Sequence, residues 1–273
     1  MALDTASQVN FPHQENPMSE FQVERHGSGG AVQVITINRP EQRNAINREV
    51  SFGVCAALDE LDADPALRVG VLTGAGGTFC SGLDLKAFLR GEQVRVPGRG
   101  LLGLLFSPPV KPLIAAVEGQ ALAGGFEAVL ACDLVVAARD ARFGLPEARR
   151  GLVAAAGGRV RLPRLIPPRL AMELALTGEP VSAELMHHHG LVNRLTDSGE
   201  ALAGAMQLAE QVLRNAPLSV QTSKAVITRQ QDWLLDRAWA EQEHLTRPVL
   251  DSEDAREGAA AFVQKRPPSW AGR

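Results

Sequence analysis

The sequence predicts an α/β fold, because short apolar runs typical of buried strands alternate with stretches of helical periodicity. VGVLTG at 69–74 and KPLIAAVEG at 111–119 are apolar runs next to glycines, as expected of strands that are buried on both faces of a parallel sheet. Glycine-rich loops follow both runs and lead into helical stretches. From about residue 200 the pattern is helical only, which predicts a separate C-terminal helical segment.

The first elements are two strands and a helix. Residues 22–38 contain two alternating segments around the turn HGSGG, which predicts a pair of strands. From residue 47 apolar residues recur at helical spacing as far as Leu61, so we expect a helix that ends near the Asp64-Pro65 pair. The strand at 69–74 completes a unit that the rest of the chain repeats.

The later elements follow the same alternation. LVVAAR at 134–139 predicts a strand, residues 168–176 and a stretch from residue 182 predict helices, and GLVNRL at 190–195 predicts a short strand. The C-terminal stretches at 201–216, 219–230 and 233–250 read as helices. No strands remain to cover the apolar faces of these helices, so packing on another subunit is expected.

These patterns divide the chain into three parts. Residues 1–20 are polar and patternless and are expected to be a loose N-terminal extension, 21–200 form the core, and 201–273 form the helical segment. Within the core, residues 91–109 are rich in Gly, Arg and Pro, which predicts a mobile loop. The apolar stretch 101–106 inside it fits a membrane-surface patch, ordinary core or a lid over an acyl pocket, and we favour the lid.

Composition and charge exclude several classes of function. A formal net charge of -3 over 273 residues provides no global attraction to nucleic acid or to an anionic membrane. Three cysteines at unrelated spacings suit a reducing cytoplasm rather than a disulfide framework. The first residues lack a secretory signal, no apolar run is long enough to span a bilayer, and His187, His188 and His189 would diverge on a helix, so no metal site is expected.

Two loops carry the features of an oxyanion site. SGLDL at 81–85 and ALAGGFE at 121–127 each follow a predicted strand and open a helix. Glycines allow close approach of a ligand to the backbone, and a helix N-terminus adds partial positive charge, so such loops suit a developing oxyanion. For either loop alone, the simpler interpretation is that Gly82, Gly124 and Gly125 permit tight turns.

Two acidic residues stand where a loop turns into a helix. Glu127 follows the glycine pair at the start of an apolar helix, and Glu147 follows FGLP at 143–146. Each is a candidate general acid or base. Each is equally explained by a favourable interaction with a helix dipole, so neither glutamate is diagnostic by itself.

Several motifs in order resemble one family. They are INRPEQRNAI, GAGGTFCSGLDL, KPLIAAVEGQALAGGFEAVLACDLVVAA, FGLPEARRGL, MELALTGEPVSAE and HGLVNRL. Together they are similar to the crotonase, or enoyl-CoA hydratase and isomerase, superfamily over residues 22–268. The resemblance implies a crotonase-like spiral of ββα units with a C-terminal helical trimerisation segment, and a homotrimer or a hexamer built from two trimers.

The resemblance also implies a reaction and its residues. The backbone N–H groups of Leu83 and Gly124 would form the oxyanion hole for a thioester carbonyl, and Glu127 and Glu147 would hold the water that adds to an enoyl-CoA. Family isomerases commonly keep one such acid, so two favour hydration. Coenzyme A belongs to the substrate, and no separate cofactor is expected. Its binding positions would be Arg39, Arg43, Ser81, Asp84, Lys86, Phe262 and Lys265, although a solvated surface charge explains each basic residue alone.

The sequence departs from the family pattern near the predicted site. Ala123 stands where a third glycine is common, Ala154 and Ala155 replace a frequent Pro-Gly pair, and Leu145 replaces a frequent polar residue. An isomerase or a dehydratase acting on another acyl-CoA therefore stays open beside the hydratase. A catalytically silent binding module is the alternative outside enzymes, and the two carboxylates beside two glycine loops argue against it.

Overall fold

A computed structural model of the chain describes residues 19–273. The expected loose extension, residues 1–20, lies outside this range except for its last two residues. Those two are tied to the core, since the Ser19 carbonyl accepts a hydrogen bond from the Asn38 side chain at 3.0 Å and Glu20 pairs with Arg39 at 3.1 Å.

The strands form a six-stranded sheet, in the order β1-β2-β3-β4-β6-β9, and a three-stranded sheet, in the order β5-β7-β8. In the larger sheet β1 and β2 are antiparallel and the remaining neighbours are parallel, as predicted for the apolar runs. The strand bounds are β1 Phe21–His26, β2 Val32–Ile37, β3 Val69–Gly74, β4 Leu113–Val117, β5 Gln120–Leu122, β6 Leu134–Ala138, β7 Arg142–Gly144, β8 Val181–Ser182 and β9 Arg194–Thr196.

Helices follow most of the strands, so the predicted α/β class and the repeated ββα organisation are confirmed. No helix among residues 19–273 is long and apolar enough to cross a bilayer. The helix bounds are α1 Arg48–Ala63, α2 Leu85–Leu89, α3 Gly124–Val129, α4 Gly158–Leu165, α5 Pro168–Thr177, α6 Ala183–His188, α7 Ala201–Leu213, α8 Pro217–Arg229, α9 Ala238–Leu250 and α10 Glu253–Gln264.

The large sheet buries both of its faces. Successive side chains of a strand point to opposite faces, and both sets are apolar here. In β3, Leu72 joins the core cluster that contains α1, while Val69 and Val71 join a second cluster with α7. The sheet is therefore a middle layer between helices, and the loops at the carboxyl ends of its parallel strands stay free to build a site.

Helix α7 corrects one expectation about the C-terminal segment. Ala201, Ala205, Ala209 and Leu213 recur at helical spacing and pack against the second face of the sheet. The prediction that no strands cover these helices is wrong for α7. It applies to the helices that follow, because α8 and α9 contain no buried residue and several of their large apolar side chains are exposed, among them Ile227, Trp239 and Leu250.

The leucine-rich stretch at 101–105 is core rather than a loose lid. Leu101, Leu102, Leu104 and Leu105 are buried in the main apolar cluster with α1. The backbone N–H of Leu102 donates to the Ser51 hydroxyl at 2.8 Å, which fixes the stretch to that helix. Only the following Phe106 is largely exposed. Burial supports the ordinary-core interpretation for these four leucines, and a role as a cover over an acyl pocket stays a prediction.

Candidate active site

The two glycine loops lie side by side, the first after β3 and the second at the carboxyl end of β5. Ile46 pairs with Leu83 in a parallel bridge, in which the Ile46 N–H donates to the Gly82 carbonyl and the Asp84 N–H donates to the Ile46 carbonyl. In such a bridge the N–H of the middle residue points the other way. The Leu83 amide has no acceptor within residues 19–273 and faces the second loop.

The Gly124 amide lies close to the first loop. A methyl group added to Gly82 would stand 3.1 Å from the Gly124 nitrogen, and one added to Gly124 would stand 3.7 Å from the Leu83 nitrogen. Gly124 opens α3, so its N–H is one of the donors that a helix leaves without an internal partner. Two backbone donors thus lie together, which is the arrangement that an oxyanion requires.

Both glycine loops need glycine for packing as well. Gly82 has φ +97°, and a Cβ there would lie 2.7 Å from the Cβ of Ala123. A Cβ on Gly125 would lie 2.3 Å from the Cys80 carbonyl oxygen. The tight-turn interpretation is therefore confirmed, since the missing side chains let the two loops approach each other. The oxyanion interpretation stays a prediction that this geometry supports.

Glu127 is held by backbone N–H groups from a distant segment. Its Oε1 accepts from Ala156 at 2.8 Å and from Gly158 at 2.9 Å, and the residue is only 3% exposed. A Cβ on Gly158 would lie 3.0 Å from the Glu127 Cγ, so glycine there allows the approach. Oε2 carries no hydrogen bond within the described range and is free to meet a ligand.

Glu147 is a partly buried acid with one unpaired carboxylate oxygen. It lies in the 3₁₀ turn Pro146–Arg150, and its Oε2 is buried without a hydrogen bond to any residue of the described range. Burial, and secondarily the charge of Glu127, raise the pKa of Glu147 to about 7. A carboxyl in this state can donate a proton near neutral pH.

The two glutamates share one region of the protein. A Cβ on Gly158 would lie 3.0 Å from Glu127 Cγ and 3.3 Å from the side chain of Leu145, which stands two residues before Glu147. Glu147 and Leu145 in turn line a small cavity of about 30 Å³. On the other side, Leu101 packs against Gly124, since a Cβ added to Gly124 would lie 2.8 Å from the Leu101 Cδ2. Apolar walls thus flank both the acids and the amide pair.

Arg39 and Asp84 have internal roles that differ from the predicted contacts with coenzyme A. The Arg39 side chain is 10% exposed and pairs with Asp84 at 3.1 Å and with Glu20. Asp84 also caps α2 by accepting from the backbone N–H groups of Lys86 and Ala87. Their polar groups are thus occupied in holding the first loop. In this structure Arg39 makes internal ion pairs, and its contact with a phosphate stays a prediction.

The other predicted coenzyme A residues fall into two groups. Arg43 and Ser81 are neighbours, because the Ser81 N–H donates to the Arg43 carbonyl at 3.0 Å. Arg43 and Lys86 are exposed, and Lys86 lies in the first turn of α2. Phe262 is 84% exposed on α10, and Lys265 caps that helix with φ 53°. No hydrogen bond or ion pair of the described residues joins this second group to the first.

Sequence reasoning missed two arginines. Arg159 lines the cavity beside Glu147. Arg161 donates to the Leu105 carbonyl at 2.6 Å, and burial lowers the pKa of its guanidinium. Both follow the Gly157-Gly158 pair, and this pair was the only signal in the sequence. A backbone that bends at Gly157, with φ +109°, brings the start of α4 against Glu127.

Comparisons with known proteins agree with this architecture. The sequence profile described as enoyl-CoA hydratase/isomerase matches residues 27–273. The mevalonyl-coenzyme A hydratase of Aspergillus fumigatus is 38% identical over 250 residues, which cover 87% of this chain and 90% of the relative. The carnitinyl-CoA dehydratase of Salmonella typhi is 40% identical over 255 residues, 89% of this chain and 96% of the relative.

A solved structure is similar over nearly the whole chain. The crystal structure of the enoyl-CoA hydratase EchA1 from Mycobacterium marinum is 54% identical, covers 93% of this chain and 100% of its own, and superposes with a TM-score of 0.91. Identity of this extent, together with a family profile that spans most of the chain, leaves one assignment. The chain belongs to the enoyl-CoA hydratase/isomerase family.

Proposed function

We propose that this protein is an enoyl-CoA hydratase, which adds water across the 2,3 double bond of an enoyl-CoA thioester. The observation that carries the proposal is the presence in one region of two acids: Glu147, which is partly buried and whose pKa is raised to about 7 by burial, and Glu127, whose Oε2 carries no hydrogen bond. An acid and a base beside two converging backbone donors are the groups that addition of water to a polarised double bond requires.

The amide pair would act on the thioester. The N–H groups of Leu83 and Gly124 would donate to the carbonyl oxygen, which gains negative charge when water attacks C3. Donors that are fixed in advance stabilise this charge at no further reorganisation, and each is worth roughly 3 kcal/mol in the transition state. The carbonyl also polarises the double bond toward attack.

The glutamates would divide the proton transfers. Oε2 of Glu127 takes a proton from water while the oxygen forms its bond to C3, and the π electrons move onto the thioester as an enolate. Glu147 then gives its proton to C2. The enolate collapses to the hydroxyacyl-CoA, and a proton returns from Glu127 to Glu147 to restore the starting state. The two changes in oxidation number, at C2 and C3, cancel, so the reaction requires no redox cofactor.

The reverse reaction uses the same groups. A base that removes the C2 proton and an acid that protonates the leaving hydroxyl make the site a dehydratase, as microscopic reversibility demands. The names of the relatives, a mevalonyl-coenzyme A hydratase and a carnitinyl-CoA dehydratase, describe the two directions. Which direction dominates depends on the acyl group and its concentration. The presence of two acids favours hydration and dehydration. It argues against isomerisation and against a silent binding module.

Coenzyme A would bind across the first loop, with Arg43 and Lys86 near its phosphates and Ser81 near its adenine. We also propose a trimer or a dimer of trimers that works in the cytoplasm. The large exposed apolar side chains of α8 to α10, Trp239 and Phe262 among them, support an assembly. Phe262 and Lys265 would then contact coenzyme A only within the oligomer. Substitution of either residue should weaken binding of coenzyme A thioesters to a protein whose oligomeric state is known.

The test is a hydration assay with crotonyl-CoA, followed by loss of the enoyl thioester absorbance. A 3-enoyl-CoA serves as the isomerase substrate in parallel. Hydration of crotonyl-CoA that exceeds isomerisation supports the proposal. A protein that isomerises the 3-enoyl thioester without hydrating crotonyl-CoA would be an isomerase, and a folded protein that binds coenzyme A thioesters but turns over neither would be a binding module.

A further inference from the structure

The Leu101 side chain lies against one of the two candidate oxyanion donors. A Cβ added to Gly124 would lie 2.8 Å from the Leu101 Cδ2 and 3.7 Å from the Leu83 nitrogen. The leucine methyl group is thus next to the place where the two backbone donors come together. Leu101 is only 5% exposed, so its side chain forms part of the wall around the position that a thioester carbonyl would occupy.

The backbone around Leu101 holds it in this position. Leu102 has φ 60°, a left-handed conformation that leucine adopts only where its surroundings enforce it. The Leu102 N–H donates to the buried Ser51 hydroxyl at 2.8 Å. The Leu101 carbonyl accepts from the N–H groups of Leu104 and Leu105 at 3.3 Å and 3.4 Å. A strained residue that is held by several contacts beside a candidate site indicates that the site depends on where Leu101 points.

The burial of Leu101 relates it to the acyl part of the substrate. A coenzyme A thioester has a large polar part and a small apolar acyl part. Two candidate coenzyme A residues, Arg43 and Lys86, are exposed, whereas Leu101 belongs to the main apolar core. Burial of apolar carbons is favourable and burial of a phosphate is costly, so the acyl carbons would face the Leu101 side of the amide pair.

The candidate base is a neighbour of the same stretch. Arg161 of α4 donates to the Leu105 carbonyl at 2.6 Å, and Gly158 of α4 donates to Glu127 at 2.9 Å. The leucine stretch, the start of α4 and the glutamate therefore adjoin. Under the proposed function this glutamate acts beside C2 and C3. Since C2 is bonded directly to the thioester carbonyl, a substituent on C2 would meet Leu101.

We infer that Leu101 is a specificity-determining residue that excludes a substituent at C2, so that enoyl-CoA thioesters with an unsubstituted C2 are preferred over those with a methyl group there. The inference rests on the proposed function. A close-packed wall does not admit an additional methyl group without moving. A methyl group on C3 is one bond farther from the carbonyl and should be affected less.

The test compares three enoyl thioesters with the intact protein. They are crotonyl-CoA, tiglyl-CoA, which carries a methyl group on C2, and 3-methylcrotonyl-CoA. A methyl group also changes the reactivity of the double bond itself, so the measured quantity is the change between variants in the tiglyl-to-crotonyl ratio of kcat/KM. We expect Leu101→Ala to raise this ratio by at least about 10-fold, the usual effect of one methyl group in an apolar pocket. Leu101→Val should raise it by less, and the ratio for 3-methylcrotonyl-CoA should change by a smaller factor.

The control is Leu104→Ala. Leu104 is fully buried in the same apolar cluster, but its side chain is farther from Gly124 than that of Leu101. The control removes the same atoms from the core and should leave both ratios unchanged.

Competition provides a readout without turnover. Butyryl-CoA should inhibit crotonyl-CoA hydration more strongly than 2-methylbutyryl-CoA, by about 10-fold, and Leu101→Ala should remove the difference. If Leu101→Ala does not fold, Leu101→Val and the wild-type inhibition difference decide.

The outcomes separate the two proposals. If the wild-type protein hydrates none of the three thioesters, the proposed function fails and this inference with it. If it hydrates crotonyl-CoA but the tiglyl-to-crotonyl ratio stays unchanged in the Leu101 variants, or rises equally in Leu104→Ala, only the assignment of Leu101 is overturned. Equal inhibition of the wild-type protein by the two saturated thioesters overturns it as well.

Discussion

Gly158 donates its backbone N–H to Oε1 of Glu127 over 2.9 Å, so the glutamate of α3 is positioned by the first residue of α4. A second N–H, from Ala156, converges on the same oxygen. One oxygen is thereby fixed by the protein, and the other is left for the ligand. This arrangement defines how the candidate base is oriented and underlies the first prediction.

Replacing either glutamate by glutamine should abolish most hydration. Glu127→Gln removes the base and places an amide group where two N–H donors now converge, while Glu147→Gln removes the transferable proton. We expect kcat for crotonyl-CoA to fall by about 10²- to 10⁴-fold in each variant, the usual contribution of a general acid or base. Steady-state kinetics on folded protein measures this. A variant that keeps wild-type kcat would remove that glutamate from the mechanism.

Hydration should decline with rising pH. Since Glu147 donates a proton and its pKa lies at about 7, the active acid form is lost as the pH rises through that value. A profile of kcat/KM for crotonyl-CoA should therefore fall on its alkaline side with an apparent pKa near 7. A profile that stays flat from neutral to alkaline pH contradicts the role of Glu147 as the acid.

The same group links stability to pH. Its pKa is raised from 4.5 to about 7, so the carboxyl is protonated in both folded and unfolded chains below the lower value. As the pH rises through this window the unfolded state ionises first, and the folded state loses stability. The free energy of unfolding should fall by about 1–2 kcal/mol across this window, after allowance for partial exposure of the carboxyl. Urea unfolding across the window measures it, and Glu147→Gln should show a smaller loss.

Gly82→Ala should damage the amide pair. The new methyl group would lie 2.7 Å from the Ala123 Cβ and 3.1 Å from the Gly124 nitrogen, at a φ of +97°, so the two loops must move apart. We expect kcat/KM to fall by at least about 10²-fold, as for the loss of one oxyanion donor. Gly77→Ala is the matched control, because Gly77 has φ +73° but no atom within 4 Å of an added Cβ. Equal losses of activity would contradict the special role of Gly82.

Ala123→Gly should stabilise the protein. Ala123 has φ 50° and ψ -127°, a conformation that glycine adopts far more readily than alanine. Relief of this strain should outweigh the greater entropy of the unfolded chain and raise the free energy of unfolding by about 0.5–1 kcal/mol. Chemical denaturation measures the change. Ala128→Gly, inside α3, is the control and should be destabilising instead.

Arg161→Met should loosen the leucine-rich stretch. The guanidinium holds the Leu105 carbonyl at 2.6 Å, and Leu101 of the same stretch packs against Gly124. The variant leaves that carbonyl unpaired, which costs about 1–3 kcal/mol, and should lower kcat/KM by about 10-fold through displacement of Leu101. Arg164→Met, on the exposed side of α4, should change kcat/KM little. A wild-type kcat/KM in Arg161→Met would show that the stretch needs no such anchor.

The sequence predicted the central elements closely because their signals are local. The helix expected from residue 47 to Asp64 is α1, Arg48–Ala63, where Asn47 caps the first turn. The strand expected at 69–74 is β3 with the same bounds. Glycine-bounded apolar runs and a capped amphipathic helix carry their structure in a few neighbouring residues.

Other elements depended on contacts between distant residues. The strand expected at 190–195 begins only at Arg194, since the preceding residues turn after α6. The helix expected from residue 233 begins at Ala238, and α10 was not predicted. The leucines at 101–105 look like a lid in sequence, because nothing local shows that α1 covers them.

The sequence predicted the types of residue in the candidate site. It did not predict the residues that hold them in position. Glu127, Glu147 and the two loops were named from motifs, whereas the roles of Ala156, Gly158 and Arg161 depend on a bend at Gly157. The sequence suggests Arg39 as a cation that binds coenzyme A, whereas in the structure Arg39 pairs with Asp84 and Glu20. A basic residue and its acidic partners 19 and 45 positions away leave no local pattern in a sequence.

The cavity beside Glu147 is walled largely by the segment that links the 3₁₀ turn to α4, with Leu152, Val153 and Arg159 among its residues. None of these three residues supplies the oxyanion amides or the two carboxylates. Substitutions at these three positions would therefore alter the surroundings of the Glu147 carboxyl while every group of the reactive centre stays in place.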